Sequence, residues 1–214
     1  MDIQISQAPE EIYLHKIPLW KTIMDKTGSF LGLLVLSPVF IIVALLIKAS
    51  SPGPVFFKQL RAGQGGRPFY AYKFRTMVPG AEFMREELLP FNERGGPVFK
   101  MTDDPRITRM GRFLRKSSID ELPQLLNVLK GEMSLVGPRP LYIVEENDMT
   151  QWQRIRRTVK PGITCLWQIY KRDGSDFDDW VRYDIQYIRN LSFWLDLKIL
   201  LLTIPAVISQ KGAK

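Results

Sequence analysis

Two adjacent carboxylates, Asp120 and Glu121, are the residues whose types and spacing most clearly suggest chemistry in this chain. They follow a basic run at 112–116 and stand where a short helix is predicted to begin. In one register Asp120 is the N-cap and Pro123 is the third helical residue, where an N–H is not needed. In the other, Ser118 is the N-cap and Glu121 completes a capping box, but Pro123 then lies one position too deep in the helix. Both registers put the carboxylates at the positive end of the helix dipole, which favours their ionised, nucleophilic form.

The helix predicted to follow this pair is short. Leucines recur through it at helical spacing, at positions 122, 125, 126 and 129, and Gly131 is expected to end it. Asn127 lies two turns beyond Asp120 on the same face and is expected to position either carboxylate. Acidic residues also favour first helical turns for structural reasons, and composition alone does not separate the two interpretations.

Cations that suit phosphate binding come first from a predicted β-hairpin. Its strands are expected at Pro54–Leu60 and Pro68–Phe74, around a glycine-rich turn. Lys73 and Arg75 share one face of the second strand, at a spacing that suits two adjacent phosphates. The alternative is an ordinary solvated strand face.

Further cations lie in three other segments. Pro138 and Pro140 hold Arg139 between two rigid residues, which suits a preorganised phosphate or nucleotide contact; the alternative is a plain turn. Lys160 stands beside a Pro-Gly turn. A basic helix predicted to open at Asp104-Pro105 carries an arginine at every third position, so these residues wind around it and one or two at most face a substrate. They are Arg106, Arg109, Arg112 and Arg115.

Composition restricts the classes of function. Lysine and arginine number 30 against 22 acidic residues, a formal charge of +8, which suits anionic lipid, nucleotide phosphates or nucleic acid. Cys165 is the only cysteine, so an internal disulfide is excluded. His15 is the only histidine, which excludes histidine-based catalysis and the usual zinc ligand sets; a metal would need oxygen ligands, as Mg²⁺ does. The mixed, acidic first 16 residues predict no cleavable signal peptide.

An apolar run of 18 uncharged residues, Phe30–Ile47, is long enough to be a membrane helix. Pro38 near its middle leaves the carbonyl of Leu34 without a helical donor, and the Ser37 hydroxyl is a candidate substitute. Basic residues flank both ends, so the positive-inside tendency favours a helix that enters, bends and returns to the cytoplasmic side. A kinked spanning helix carries equal weight from these residues alone. The run Phe193–Ile208 is apolar but interrupted by charges, which suits the headgroup boundary or packing on the core.

Together these residues resemble the bacterial sugar transferase family, the monotopic phosphoglycosyl transferases, from about Leu19 to the C-terminus. The residues that carry the resemblance are Ser37-Pro38, Tyr72-Lys73-Phe74-Arg75-Thr76-Met77, Asp120-Glu121-Leu122-Pro123-Gln124, Asn127-Val128-Leu129-Lys130-Gly131, Val136-Gly137-Pro138-Arg139-Pro140 and Pro161-Gly162-Ile163-Thr164. Two departures are Lys160, where many members have arginine, and the run at 165–168, which replaces the commoner Gly-Trp.

The resemblance implies an α+β fold: a mostly helical catalytic domain with a β-hairpin, interfacial amphipathic helices and an N-terminal membrane helix that re-enters and is broken at Ser37-Pro38. The expected divisions are a polar tail at 1–16, the membrane helix at 17–50 and the cytoplasmic catalytic domain at 51–214. The implied location is the cytoplasmic face of the bacterial inner membrane, with anionic phospholipid as a partner.

The resemblance also implies transfer of a sugar phosphate from a UDP-sugar to undecaprenyl phosphate with release of UMP. Asp120 and Glu121 are the expected catalytic pair and the expected Mg²⁺ ligands, with Asp120 as the nucleophile. An alternative role for Glu121 is to adjust the protonation of the incoming lipid phosphate, and the sequence does not decide between the two. The expected substrate-binding residues, Asp184 by family position alone, are Lys73, Arg75, Arg112, Arg115, Asn127, Pro138, Arg139, Pro140, Lys160 and Asp184.

Two other functions fit parts of the sequence. A basic membrane-associated scaffold without enzymatic activity would use the amphipathic segments to bind partners. Nucleic-acid binding rests on charge alone, and the apolar anchor argues against it, so no nucleic-acid partner is expected. The sugar is not encoded in any recognisable residue set, and the oligomeric state is open, with a homodimer among the expected states.

Overall fold

Helices make up most of the structure, a computed structural model that describes residues 14–93, 98–99, 101–170 and 176–209. The polar tail predicted for 1–16 lies mostly outside the described residues. Two two-stranded sheets accompany the helices within the described ranges, so the α+β class is confirmed. The helices are α1 (Leu19–Ser50), α2 (Arg85–Leu88), α3 (Arg109–Lys116), α4 (Leu125–Lys130), α5 (Ile143–Asn147), α6 (Leu166–Tyr170), α7 (Phe177–Arg189) and α8 (Phe193–Ile208).

Helix α1 has one face packed against the rest of the protein along most of its length. The buried residues recur at helical spacing, and the large apolar residues of the opposite face are exposed. The buried set is Lys21, Asp25, Ser29, Val43 and Ile47. By length and composition this helix is able to cross a membrane.

The proline in α1 is accommodated within one helical element. The Ser37 hydroxyl donates to the Leu34 carbonyl at 2.8 Å, as the sequence predicted, and so replaces the donor that Pro38 lacks. The helix is assigned continuously from Leu19 to Ser50. The predicted break between two helices at Ser37-Pro38 is therefore not confirmed.

The predicted hairpin is present with a shifted first strand. Strand β1 (Phe56–Ala62) pairs antiparallel with β2 (Pro68–Phe74), so β1 begins and ends two residues later than expected. A 3₁₀ turn at Gln64–Gly66 joins them, with Gly65 at φ 67°, a conformation that glycine adopts readily. The hairpin packs on α4 through Phe69, and Phe74 packs between α1 and α3.

The predicted carboxylate helix is divided into a 3₁₀ segment, Ile119–Gln124, and α4. Ser118 stands at the N-cap position with φ 56°, but its side chain caps no helical N–H, so neither capping register is confirmed. The capping box fails because the Glu121 carboxylate bonds to distant cations instead. Gly131 ends α4 at φ 87°, as expected.

A parallel pair of short strands, β3 (Ser134–Val136) and β4 (Gly162–Thr164), supports the loop that carries Arg139. The loop begins where two glycines meet: a Cβ on Gly162 would lie 2.0 Å from the Gly137 nitrogen. Beneath the strands, α7 and α8 contribute apolar side chains to one buried cluster that includes Val136. The predicted basic helix begins later than expected, at Arg109, because Thr108 caps α3 by accepting from the Gly111 N–H at 2.9 Å.

Candidate active site

The Glu121 carboxylate binds two cations that come from opposite sides of the fold. Lys73 on β2 donates to Oε1 at 2.8 Å. Arg139 donates through Nη2 to Oε1 at 2.6 Å and through Nη1 to Oε2 at 3.1 Å, a bidentate pair. Burial raises the pKa of Glu121, but these two positive charges and their hydrogen bonds outweigh it and hold the pKa well below its ordinary value. Glu121 is therefore ionised at neutral pH.

The pKa of Asp120 is shifted in the opposite direction to that of Glu121. Its side chain is buried, and none of the described side chains donates a hydrogen bond to its carboxylate. Burial and the adjacent Glu121 charge raise the pKa of Asp120 to about 6, while Lys73, Arg115 and Arg139 oppose this shift. At neutral pH Asp120 is mostly an ionised carboxylate whose oxygens are not committed to a donor.

Lys73 is positioned by a side-chain bridge between α4 and β2. Asn127 is fully buried; its Nδ2 donates to the Tyr70 carbonyl at 2.7 Å and its Oδ1 accepts the Tyr72 N–H at 3.0 Å. Asn127 was expected to face the carboxylates, and instead it holds the backbone of the strand that carries Lys73. Its side chain is directed to β2 because a buried amide needs several hydrogen-bond partners, and the strand backbone offers them.

The Arg139 loop, residues 137–140, is held by donors to its backbone carbonyls. Gly162 N–H donates to the Pro138 carbonyl at 2.8 Å. Arg156 donates to the Arg139 carbonyl at 2.7 Å, and Arg61 donates to the Pro140 carbonyl at 2.9 Å. The preceding carbonyl, of Val136, accepts from both Lys21 and Tyr187 at 3.0 Å. The loop that carries Arg139 is thus fixed along its whole backbone.

Asp184 contributes to this loop through Arg156. Its Oδ2 accepts from Arg156 Nε at 2.9 Å, and both side chains are buried. Burial raises the pKa of Asp184 to about 6, and the Arg156 charge opposes the shift. Asp184, predicted as a substrate contact, instead holds the arginine that holds the Arg139 backbone.

The site as built suits an anionic ligand. Lys73, Arg115 and Arg139 all lower the pKa of Asp120, so three positive charges act on one free carboxylate. Such an arrangement can neutralise phosphate oxygens while presenting a carboxylate oxygen as a nucleophile.

A family model described as bacterial sugar transferase matches residues 16–210. The chain belongs to the bacterial sugar transferase family. It is 48% identical over 203 residues to the galactosyl transferase CpsE of Streptococcus agalactiae, covering 94% of this chain and 44% of that protein. It is 41% identical to the UDP-glucose:undecaprenyl-phosphate glucose-1-phosphate transferase of Xanthomonas campestris, covering 90% and 40%. It is 39% identical to the exopolysaccharide production protein ExoY of Rhizobium meliloti, covering 90% and 87%. The chain thus spans less than half of the first two relatives and most of ExoY.

Two predicted phosphate-binding cations, Arg75 and Lys160, lie away from the carboxylate pair. Arg75 donates through Nη1 to the Pro52 carbonyl at 2.7 Å and through Nη2 to the Ser51 carbonyl at 2.8 Å, which ties β2 to the end of α1. Lys160 lies beside α1, and burial lowers its pKa although the Asp25 charge opposes this shift. No contact among the described residues brings either of them to the carboxylates, because Arg75 is bonded to the segment that follows α1 and Lys160 lies beside α1 itself.

The arginines in and before α3 have different surroundings, as their three-residue spacing predicts. Arg115 donates to the Thr76 hydroxyl at 3.0 Å and acts electrostatically on Asp120. Arg112 is exposed, and no contact among the described residues brings it to the carboxylates. Arg106 pairs with Asp104 in the turn before the helix.

Sequence reasoning missed Arg61 and Arg156 as supports of the site. Arg156 lies in a run of basic residues from 154 to 157 in which nothing distinguishes it. Arg61 lies at the end of a strand, where an arginine is unremarkable, and stacks on the Tyr142 ring at 3.7 Å. Both partners are distant in sequence, so no local signal identifies them.

The Asp120→Asn variant tests the electrostatic state of the site without reference to activity. Because the pKa of Asp120 rises from 3.8 to about 6 on folding, its ionisation destabilises the folded state increasingly as pH rises through this window. Asp120→Asn should therefore be more stable than wild type at pH 8, with the difference narrowing towards pH 4. Thermal unfolding of the solubilised protein at both pH values measures this.

The matched control is Asp103→Asn, the same substitution at an exposed aspartate. It should show no such pH-dependent difference. If Asp120→Asn gains no stability relative to wild type between pH 4 and pH 8, the raised pKa is contradicted.

Proposed function

We propose that this protein transfers a sugar 1-phosphate from a UDP-sugar to undecaprenyl phosphate, giving undecaprenyl-diphospho-sugar and UMP. The observation that carries the proposal is the uncommitted Asp120 carboxylate beside Glu121, whose oxygens hold Lys73 and Arg139. The Xanthomonas campestris relative is named as a transferase of glucose 1-phosphate to undecaprenyl phosphate. A Salmonella typhimurium relative, 39% identical over 201 residues, is named undecaprenyl-phosphate galactose phosphotransferase. We place the reaction at the first membrane step of polysaccharide or glycoconjugate synthesis.

In the first step an Asp120 carboxylate oxygen attacks the β-phosphorus of the UDP-sugar. The bond from that phosphorus to the bridging oxygen breaks, and UMP leaves with the bonding electrons. A phosphosugar–aspartyl intermediate remains. Lys73, Arg139 and Arg115 neutralise the charge on the phosphoryl oxygens, which supplies most of the stabilisation that phosphoryl transfer requires.

In the second step an oxygen of the lipid phosphate attacks the same phosphorus. The bond to the Asp120 oxygen breaks, the carboxylate is regenerated and the diphosphate product forms. Glu121 stays ionised throughout because its two oxygens remain bonded to cations. Its role is to hold Lys73 and Arg139 at the site, and it does not transfer protons.

Magnesium fits this site through Asp120 in preference to Glu121. No group of three or more histidine, cysteine, aspartate or glutamate side chains in the described ranges could enclose a metal. Mg²⁺ commonly takes one or two carboxylates together with substrate phosphates and water, and the uncommitted oxygens of Asp120 meet that requirement. Both oxygens of Glu121 already accept from cations, which disfavours its predicted role as a ligand. When bound, Mg²⁺ would supply further neutralisation of the donor diphosphate.

We further propose that α1 is seated in the membrane from the cytoplasmic side without crossing it. Residues from Lys21 to Ile47 pack on the same body, a length of roughly 39 Å of helix. A helix that crossed about 30 Å of hydrocarbon would carry that body into the lipid with it. The exposed face of α1 includes Leu34, Val35 and Leu45, which suits contact with lipid along one side. This seating brings the carboxylate pair to the plane where a soluble nucleotide sugar meets a lipid phosphate.

Cysteine labelling tests the seating of α1. In a Cys165→Ala background, Lys16→Cys and Lys58→Cys place exposed thiols before and after the helix. In intact spheroplasts an impermeant maleimide should label neither position, and in lysed cells it should label both. Labelling of Lys16→Cys alone in intact spheroplasts would show that α1 spans the membrane.

Release of UMP tests the reaction itself. The solubilised protein, with undecaprenyl phosphate and Mg²⁺, should release UMP from at least one of UDP-glucose, UDP-galactose and the UDP-N-acetylhexosamines. Asp120→Asn should reduce this rate by at least about 10³-fold, because it removes the attacking oxygen. The Asp103→Asn control should retain the wild-type rate.

Two outcomes would contradict the proposal. Absence of UMP release from every donor would favour the alternative, a basic membrane-associated scaffold without enzymatic activity. Near wild-type turnover by Asp120→Asn would leave the reaction in place and exclude Asp120 as the nucleophile.

A further inference from the structure

A cleft of about 160 Å³ lies between the carboxylate pair and the C-terminal helix. Its walls come from the segment at 117–122, from β4, from α6 and from α8. Most of the lining surface is apolar, and six of the twelve lining residues are apolar. They are Ile119, Leu122, Ile163, Ile169, Ala206 and Val207.

The hydroxyl groups on the α8 side of the cleft are already satisfied. Thr203 donates to the Ile199 carbonyl at 2.7 Å. Its oxygen is 2.7 Å from the Thr164 hydroxyl, which is therefore the donor of that pair. These two hydroxyl groups do not need a polar ligand, so beside them a nucleobase or a hexose would lose hydrogen bonds with water without regaining them.

Two sides of the cleft differ in chemistry. Glu121 lines one side and brings with it the bound Lys73 and Arg139 charges. Helix α8 forms another side, and its outer face exposes Leu201 at 60% and Ile208 at 74%. A ligand that fills the cleft therefore needs an anionic group at one end and an apolar chain that continues towards lipid.

We propose that this cleft holds the isoprene unit next to the phosphate of the lipid acceptor. The inference rests on the proposed function and assigns to the acceptor a binding site that the carboxylate pair alone does not provide. An apolar cavity of about 150 Å³ is known to hold benzene, with six carbons, so a cleft of this size suits one five-carbon unit. The remaining units continue over the exposed face of α8 into the membrane.

A pair of neighbouring substitutions on α8 tests this assignment. Val207 lines the cleft, whereas Ile208 is on the exposed face. Val207→Phe should fill the cleft and raise KM for undecaprenyl phosphate about tenfold, since burial of one apolar unit is lost, while KM for the UDP-sugar stays unchanged. Ile208→Phe adds comparable bulk outside the cleft and should leave both constants within about twofold.

A photoaffinity probe tests the same cleft in the unaltered protein, which keeps the result decisive if Val207→Phe fails to fold. The probe is farnesyl phosphate with a diazirine on its first isoprene unit. Peptides that contain residues 163–169 and 203–207 should be labelled, and undecaprenyl phosphate should compete.

The outcomes separate this inference from the function on which it rests. An unchanged acceptor KM in folded Val207→Phe, labelling confined to α1, or no competed labelling would overturn the cleft assignment while UMP release persists. Failure of the wild-type protein to release UMP from any UDP-sugar would overturn the proposed function and the cleft assignment together.

Discussion

The bidentate contact between Glu121 and Arg139, completed by Lys73, is the interaction on which the site depends. Two cations repel each other strongly when they are partly removed from water, and an ionised carboxylate between them offsets that repulsion. Because Glu121 is engaged in this way, the neighbouring Asp120 is left without a donor, and its burial keeps its pKa raised. The two adjacent acids therefore have different roles because Glu121 has hydrogen-bond donors and Asp120 has none among the described side chains.

This arrangement requires the cations to be held in position, and hydrogen bonds to the backbone of the segments that carry them do this. Arg156 and Arg61 bond to consecutive carbonyls of the Arg139 loop, and Lys21 bonds to the carbonyl at its start. Lys21 also forms a buried ion pair with Asp196 of α8 at 2.5 Å, so α1, α8 and the Arg139 loop share one network. Removing one partner of a buried pair is far more disruptive than the pair's net contribution to stability. The position of α1 and the position of the Arg139 loop are therefore coupled through this network.

The sequence predicted those features that local chemistry determines. The hairpin, the stop at Gly131 and the hydrogen bond from Ser37 to Leu34 each follow from turn, capping or proline rules, and all three are present. Predictions that relied on which partner a side chain would find were less successful. Arg75, assigned to a strand face, lies beyond the strand end and bonds to the carbonyls of Ser51 and Pro52, just after α1. Asp184 and Arg156 lie 28 residues apart, and no spacing rule indicates that they pair.

The most direct test of the central claim, that a carboxyl oxygen of Asp120 becomes phosphorylated, is mass spectrometry of the protein after incubation with the donor alone. With an active UDP-sugar and no lipid acceptor, UMP should be released in an amount no greater than that of enzyme, and the peptide containing Asp120 should gain the mass of a phosphosugar. Addition of undecaprenyl phosphate should remove that mass. An unmodified Asp120 peptide under conditions in which product forms robustly would contradict the account.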